Sequence, residues 1–133
     1  MGRRRTRSAA GITLDTGALI ALDRCDKRMI ALLDLAVAQG RAFRVPSGVV
    51  AQAWRNSRVQ VTLARFLRLE EVEIVSLDEQ LARACGELCG ATNTSDIIDA
   101  SVVIVARERR DPIVTSDPND LRRLDPGAAI IPV

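Results

Sequence analysis

The chain has 133 residues, a length that most often makes one compact domain burying roughly two-thirds of its unfolded surface. Hydrophobic residues make up 47%, charged residues 27%, and the formal net charge is +2, the profile of an ordinary globular chain rather than a disordered or fibrous one. There is no histidine, which excludes Ser-His-Asp and Cys-His catalysis and any histidine-ligated zinc, so carboxylates come first as carriers of chemistry.

The longest run without a charged side chain, Val45 to Trp54, is far short of the roughly 20 residues that cross a bilayer. No membrane-spanning segment is expected. Cys25, Cys85 and Cys89 form an odd set, which reads as free thiols in a reducing cytoplasm rather than a disulfide framework. Residues 1–10, with Arg3, Arg4, Arg5 and Arg7, read as a basic, flexible tail, and residues 11–133 as a single domain.

In chain order, Gly11 to Leu14 is a short apolar run expected to form a strand, and Asp15-Thr16-Gly17 turns it into a helix. Apolar residues from Met29 to Val37 recur at helical spacing until Gly40 stops them. Ala42 to Val45 follows as a second strand. Pro46-Ser47 opens a helix that runs to Trp54, and Val59 to Leu69 continues as its hairpin partner.

Val72, Ile74, Val75 and Leu77 predict a third strand, and Asp78 can cap the helix that carries Leu81, Ala84, Cys85 and Leu88. Gly90 to Asn93 reads as a loop. Ser95 is expected to cap a helix over Asp96 to Arg109, with a fourth strand at Pro112 to Thr115 and a short fifth at Ala128 to Ile131. This alternation predicts an α/β fold: a mainly parallel sheet of four to five strands covered by helices on both faces. Ligands of such sheets bind at the carboxyl ends of the strands.

Asp15 closes the first strand and Asp117 follows the fourth, so a parallel sheet places both acids on one edge. Asp96 and Asp99 are three apart, hence on one helical face, in a helix otherwise apolar enough to be buried. Taken singly these are ordinary cap and turn residues. Gathered in one crevice, they would repel one another until a hard divalent ion with oxygen ligands, magnesium or manganese, relieved the repulsion. Such an ion activates water and stabilises charge on a phosphoryl group, which is nuclease chemistry that needs no histidine.

The phrases LDTGALIAL, VPSGVVAQAW, TSDIIDASVVIVA and IVTSDPNDL, in that order and spacing, resemble the PIN-domain ribonucleases, in particular the VapC-type toxins of toxin-antitoxin pairs. The resemblance implies a PIN-like fold, an acidic site holding Mg2+ or Mn2+, endonucleolytic cleavage of RNA, a cognate antitoxin, and a homodimer in the cytoplasm. On its motifs, Asp15, Asp96 and Asp117 become the catalytic, metal-binding acids.

One position departs from the pattern. Gln52 stands in VVAQAW where the family usually places a glutamate, which removes one negative charge and should weaken or shift the ion. Asp99 or Asp120 would compensate as further metal ligands. The alternative is a PIN-like protein that binds RNA or an antitoxin but cuts weakly or not at all. Thr16, Thr115 and Ser116 offer supporting hydroxyls beside the acids, and Arg55 and Arg58 are candidates for RNA contact.

A receiver domain would need a late lysine, and the sole lysine is Lys27. Phosphate-cradling glycine loops are absent as well. Cys85 and Cys89 share a helical face, but without histidine or a fourth cysteine they read as packing residues.

Overall fold

The computed structural model describes residues 11–133; the basic tail expected over residues 1–10 lies outside the described residues. The strands are β1 (Ile12–Leu14), β2 (Phe43–Pro46), β3 (Val72–Val75), β4 (Ile113–Thr115) and β5 (Ile130–Pro132). They form one sheet in the order β3-β2-β1-β4-β5, with every neighbouring pair parallel.

All three residues of β1 are buried. Side chains alternate between the faces of a strand, so burial of all three means that both faces of the sheet are covered. The covering helices are α1 (Thr16–Asp23), α2 (Lys27–Ala38), α3 (Ser47–Ala53), α4 (Val61–Leu67), α5 (Glu79–Thr92), α6 (Ile97–Arg109) and α7 (Pro118–Leu124). The main core joins Leu14, Phe43, Val45 and Val114 of the sheet to Leu19, Met29, Leu63 and Val103 of the helices. A second cluster sits between α5 and α6, where Leu81, Cys85 and Cys89 meet Ala100, Ile104 and Val105.

From β1 the chain builds outward through β2 and β3, then returns to place β4 and β5 on the other side. The order therefore reverses between β1 and β4, and in open α/β sheets the crevice at that reversal is where ligands bind. At the opposite, amino-terminal edge, Arg44 Nη1 donates to both carboxylate oxygens of Asp111, at 2.9 and 3.0 Å, and Thr13 Oγ1 donates to Asp111 Oδ2 at 2.9 Å. Gly11 lets this buried trio form, because a Cβ there would lie 1.7 Å from Arg44 Nη1.

The structure departs from the sequence expectations at element ends. Gly90 to Thr92 belong to α5, and only Asn93 leaves the helix, in the left-handed conformation at φ 59° that asparagine tolerates well. Asp96, not Ser95, caps α6. The fifth strand is Ile130–Pro132 rather than Ala128 to Ile131, and Leu77 lies beyond the end of β3. Helix α7 was not expected; Pro118 starts it at the position where a missing N–H costs nothing.

Among the described residues no single helix is long and apolar enough to cross a membrane. Helices α5 and α6 together pass that test on length and composition but are bent by 108°, and α6 buries Ala100 to Ala106 inside the protein.

Candidate active site

The crevice at the reversal point is built from the first turns of three helices and the end of β4. Asp15 leaves β1 in extended conformation and caps α1, its Oδ1 accepting from Ala18 N at 2.9 Å. Its own N–H donates to Val114 O at 3.2 Å, which ties the acid to β4. Asp15 is therefore both the helix cap that the modest reading predicts and a carboxylate in the crevice. Burial pushes its carboxyl above the usual range; the Thr115 hydroxyl bonded to it opposes that shift, and the charge of Asp117 adds to it.

Thr115 serves two acids. Its Oγ1 accepts from Asp117 N at 2.8 Å, which fixes the turn after β4, while the same hydroxyl bonds to the Asp15 carboxylate. Ser116 is brought against α1 because residue 17 is glycine: a Cβ at Gly17 would lie 1.9 Å from Ser116 Oγ. Asp117 is exposed at the start of α7 and makes no side-chain capping bond to that helix; its carboxylate bonds to Asp120 instead.

On α6, Asp96 Oδ1 accepts from Asp99 N at 2.9 Å. The Asp99 carboxyl is pushed up to about 7, first by burial, then by the charge and hydrogen bond of Asp96, and further by Asp15 and Asp120. Asp120, in the first turn of α7, is raised by its hydrogen bond with Asp117 and by the charges of Asp117 and Asp96, with Arg123 opposing. Five carboxylates from three separate elements thus act on one another as a single electrostatic cluster.

A cavity of about 230 Å3 opens beside this cluster, lined by Asn93, Thr94, Asp96, Asp99, Asp120 and Arg123 among others. A wider depression beyond the α5–α6 turn is lined by Gln52, Thr94, Ser95, Asp96, Ile97 and Ile98. Gln52 is exposed on α3, and Thr16 Oγ1 donates to its Oε1 at 2.5 Å. The position where a glutamate was expected therefore does face the crevice, carrying an amide.

The two arginine candidates differ. Arg55 Nη1 donates to Ala51 O at 2.9 Å and Trp54 O at 2.7 Å, so this guanidinium closes the carboxyl end of α3. Arg58 is exposed on the following loop. That loop is organised by buried Gln60, whose Oε1 accepts from Arg55 N and Asn56 N and whose Nε2 donates to Ala53 O and Asp23 Oδ2. Cys85 and Cys89 are buried with free thiols, as packing residues should be.

The chain's sequence pointed to Asp15, Asp96, Asp99, Asp117 and Asp120 but missed Arg123 and the Asn93-Thr94 rim. Once α7 is known, Asp120 and Arg123 form an i,i+3 pair, Nη1 to Oδ1 at 3.1 Å. Without that helix the signal was invisible.

The donor set is all oxygen and strongly anionic, which suits a hard divalent cation and not a soft one. Among the described residues no group of three acids is already gathered in ligating positions. Asp15 and Asp96 each give one carboxylate oxygen to a helix-capping N–H, and the Asp99 and Asp120 carboxyls bond to Asp96 and Asp117.

The family model that matches is the PIN domain, over residues 12–126. No curated protein matches the chain. The crystal structure of VapBC2 from Rickettsia felis bound to a DNA fragment from their promoter contains a chain similar in fold, with a TM-score of 0.68 at 18% identity, covering 91% of this chain and 97% of that one.

Proposed function

The chain belongs to the PIN domain family, and from that membership we propose that it is a metal-dependent endoribonuclease, the toxin of a toxin-antitoxin pair. The observation that carries the proposal is the cluster of five interacting carboxylates, Asp15, Asp96, Asp99, Asp117 and Asp120, at the reversal point of the sheet.

Asp15, Asp96 and Asp117 would hold a magnesium or manganese ion, with Asp99 and Asp120 as further oxygen donors. The ion would supply Lewis-acid activation of water and neutralise charge developing on the phosphodiester. Thr115 keeps Asp15 and Asp117 in register, since its one hydroxyl bonds to both. Glycine at position 17 lets Ser116 pack against the start of α1 beside Asp15. Gln52 contributes a neutral amide, leaving the site one negative charge poorer than the family pattern.

An antitoxin partner is supported by the fold neighbour, which is a VapBC2 complex. Homodimer formation and residence in the cytoplasm belong to the same reading.

The test is incubation of a mixed RNA pool with the purified, antitoxin-free protein in Mg2+, in Mn2+ and in EDTA. Cleavage with either metal and none in EDTA is the expected result. A folded protein that leaves RNA intact in both metals would instead favour a PIN-like binding protein, for which Gln52 supplies the structural reason.

A further inference from the structure

We infer that the RNA strand crosses the turn between α5 and α6, and that Gln52 Nε2 and the Arg123 guanidinium hold its phosphates on either side of the acids. This rests on the nuclease reading and adds the path and the residues that grip the substrate.

The two depressions of the crevice share Thr94 and Asp96. They therefore adjoin at Thr94 and Asp96, the ridge that a strand running from one to the other would cross. Each depression carries a hydrogen-bond donor on its wall, Gln52 in one and Arg123 in the other.

The orientation of Gln52 is set from below. Thr16 Oγ1 donates to Oε1, so the carbonyl end of the amide is turned to α1 and the NH2 end is left for the groove. Among the described residues Nε2 has no hydrogen-bond partner. Arg123 is held differently: Nη1 pairs with Asp120 Oδ1 at 3.1 Å, while the side chain stays 79% exposed. One arm of the fork is anchored and the rest of the guanidinium is open to solvent, where it can reach a phosphate.

Charge favours a polyanion gripped at the flanks. A phosphodiester strand laid directly on five carboxylates is repelled, whereas one guided by donors on both sides can bring a single phosphate to the ridge at Asp96.

The experiment is fluorescence anisotropy of a labelled single-stranded RNA oligonucleotide in Mg2+ across a salt series, using Asp96→Asn protein so that the probe is not cut. Arg123→Ala should weaken binding about tenfold and lower the slope of log K against log salt by about 0.7. Arg123→Lys should keep that slope. Gln52→Ala should weaken binding about threefold to tenfold with the slope unchanged, because a neutral donor releases no counterion. The double variant should multiply the two losses. Wild-type affinity and slope in both single variants would overturn the proposed path. Cleavage by the otherwise unmodified chain, measured in parallel, separates the two readings: metal-dependent cutting with unaffected binding overturns the path alone, and no cutting overturns the nuclease reading beneath it.

Discussion

Thr16 Oγ1 and Gln52 Oε1 lie 2.5 Å apart, joining the first turn of α1 to the exposed face of α3. The bond places residue 52 at the acidic crevice and turns its amide so that a donor, not an acceptor, faces the groove. A glutamate there would accept the same hydroxyl and add the missing negative charge. Gln52→Glu should therefore lower the half-saturating Mg2+ concentration for cleavage about tenfold, the scale on which a metal site's supporting groups act. A metal titration of wild type and variant reads this directly, and identical midpoints would detach Gln52 from the ion's site.

Asp15 carries two roles that mutation can separate. Asp15→Asn keeps an oxygen to accept from Ala18 N, so the melting temperature should stay within a few degrees of wild type. Cleavage should nevertheless fall by more than about 100-fold, because an ion ligand is lost rather than a supporting group. Asp15→Ala should lose the cap as well, costing about 1 kcal/mol of stability. Thermal melts and single-turnover cleavage of both variants distinguish the two effects.

Asp99 makes stability depend on pH. Its carboxyl is raised from the ordinary 3.8 to about 7 in the folded chain, so between those values the folded state binds a proton that the unfolded state has released. The stabilisation is fully present below the unfolded value and is lost as pH rises through about 7. Metal-free protein should thus melt at progressively lower temperature as pH rises from about 4 to about 7 and level off above, a trend that Asp99→Asn should reduce, with the remainder left to Asp15 and Asp120, whose carboxyls are raised as well. Binding of Mg2+ near pH 6.5 should release protons to the buffer, since the ion and the proton compete for the same oxygens. A trend identical in Asp99→Asn would show that another group is responsible.

The buried trio at the far edge of the sheet bears on stability alone. Asp111 has a fully buried side chain and accepts from Arg44 and Thr13, so Asp111→Ala leaves the Arg44 charge without its closest partner. A loss of about 3–5 kcal/mol is expected in denaturant unfolding. Thr13→Val, which removes one bond and keeps the ion pair, should cost about 1 kcal/mol.

Much of this arrangement was legible in the sequence. The apolar runs ending at Leu14 and Thr115 predicted strands, and a parallel sheet then forced Asp15 and Asp117 onto one edge. The three-residue spacing of Asp96 and Asp99 placed them together on α6. The C-terminal segment was harder to read. Helix α7 is seven residues long, too short for periodicity to mark it, and it hid Arg123 from view. The extension of α5 through Gly90 was masked because glycine is a helix breaker by propensity, whereas packing of Cys85 and Cys89 against α6 holds the last turn in place. The hydrogen bond between Thr16 and Gln52 spans 36 residues, and no local pattern encodes such a contact.

The most direct test of the central claim is Mn2+ binding to the metal-free protein, followed by electron paramagnetic resonance, for wild type, Asp96→Asn and Asp99→Asn. Saturable binding by wild type, weakened more than about tenfold in each variant, is the result this account predicts. Folded wild-type protein with no saturable Mn2+ binding, or variants that bind as tightly as wild type, would contradict it.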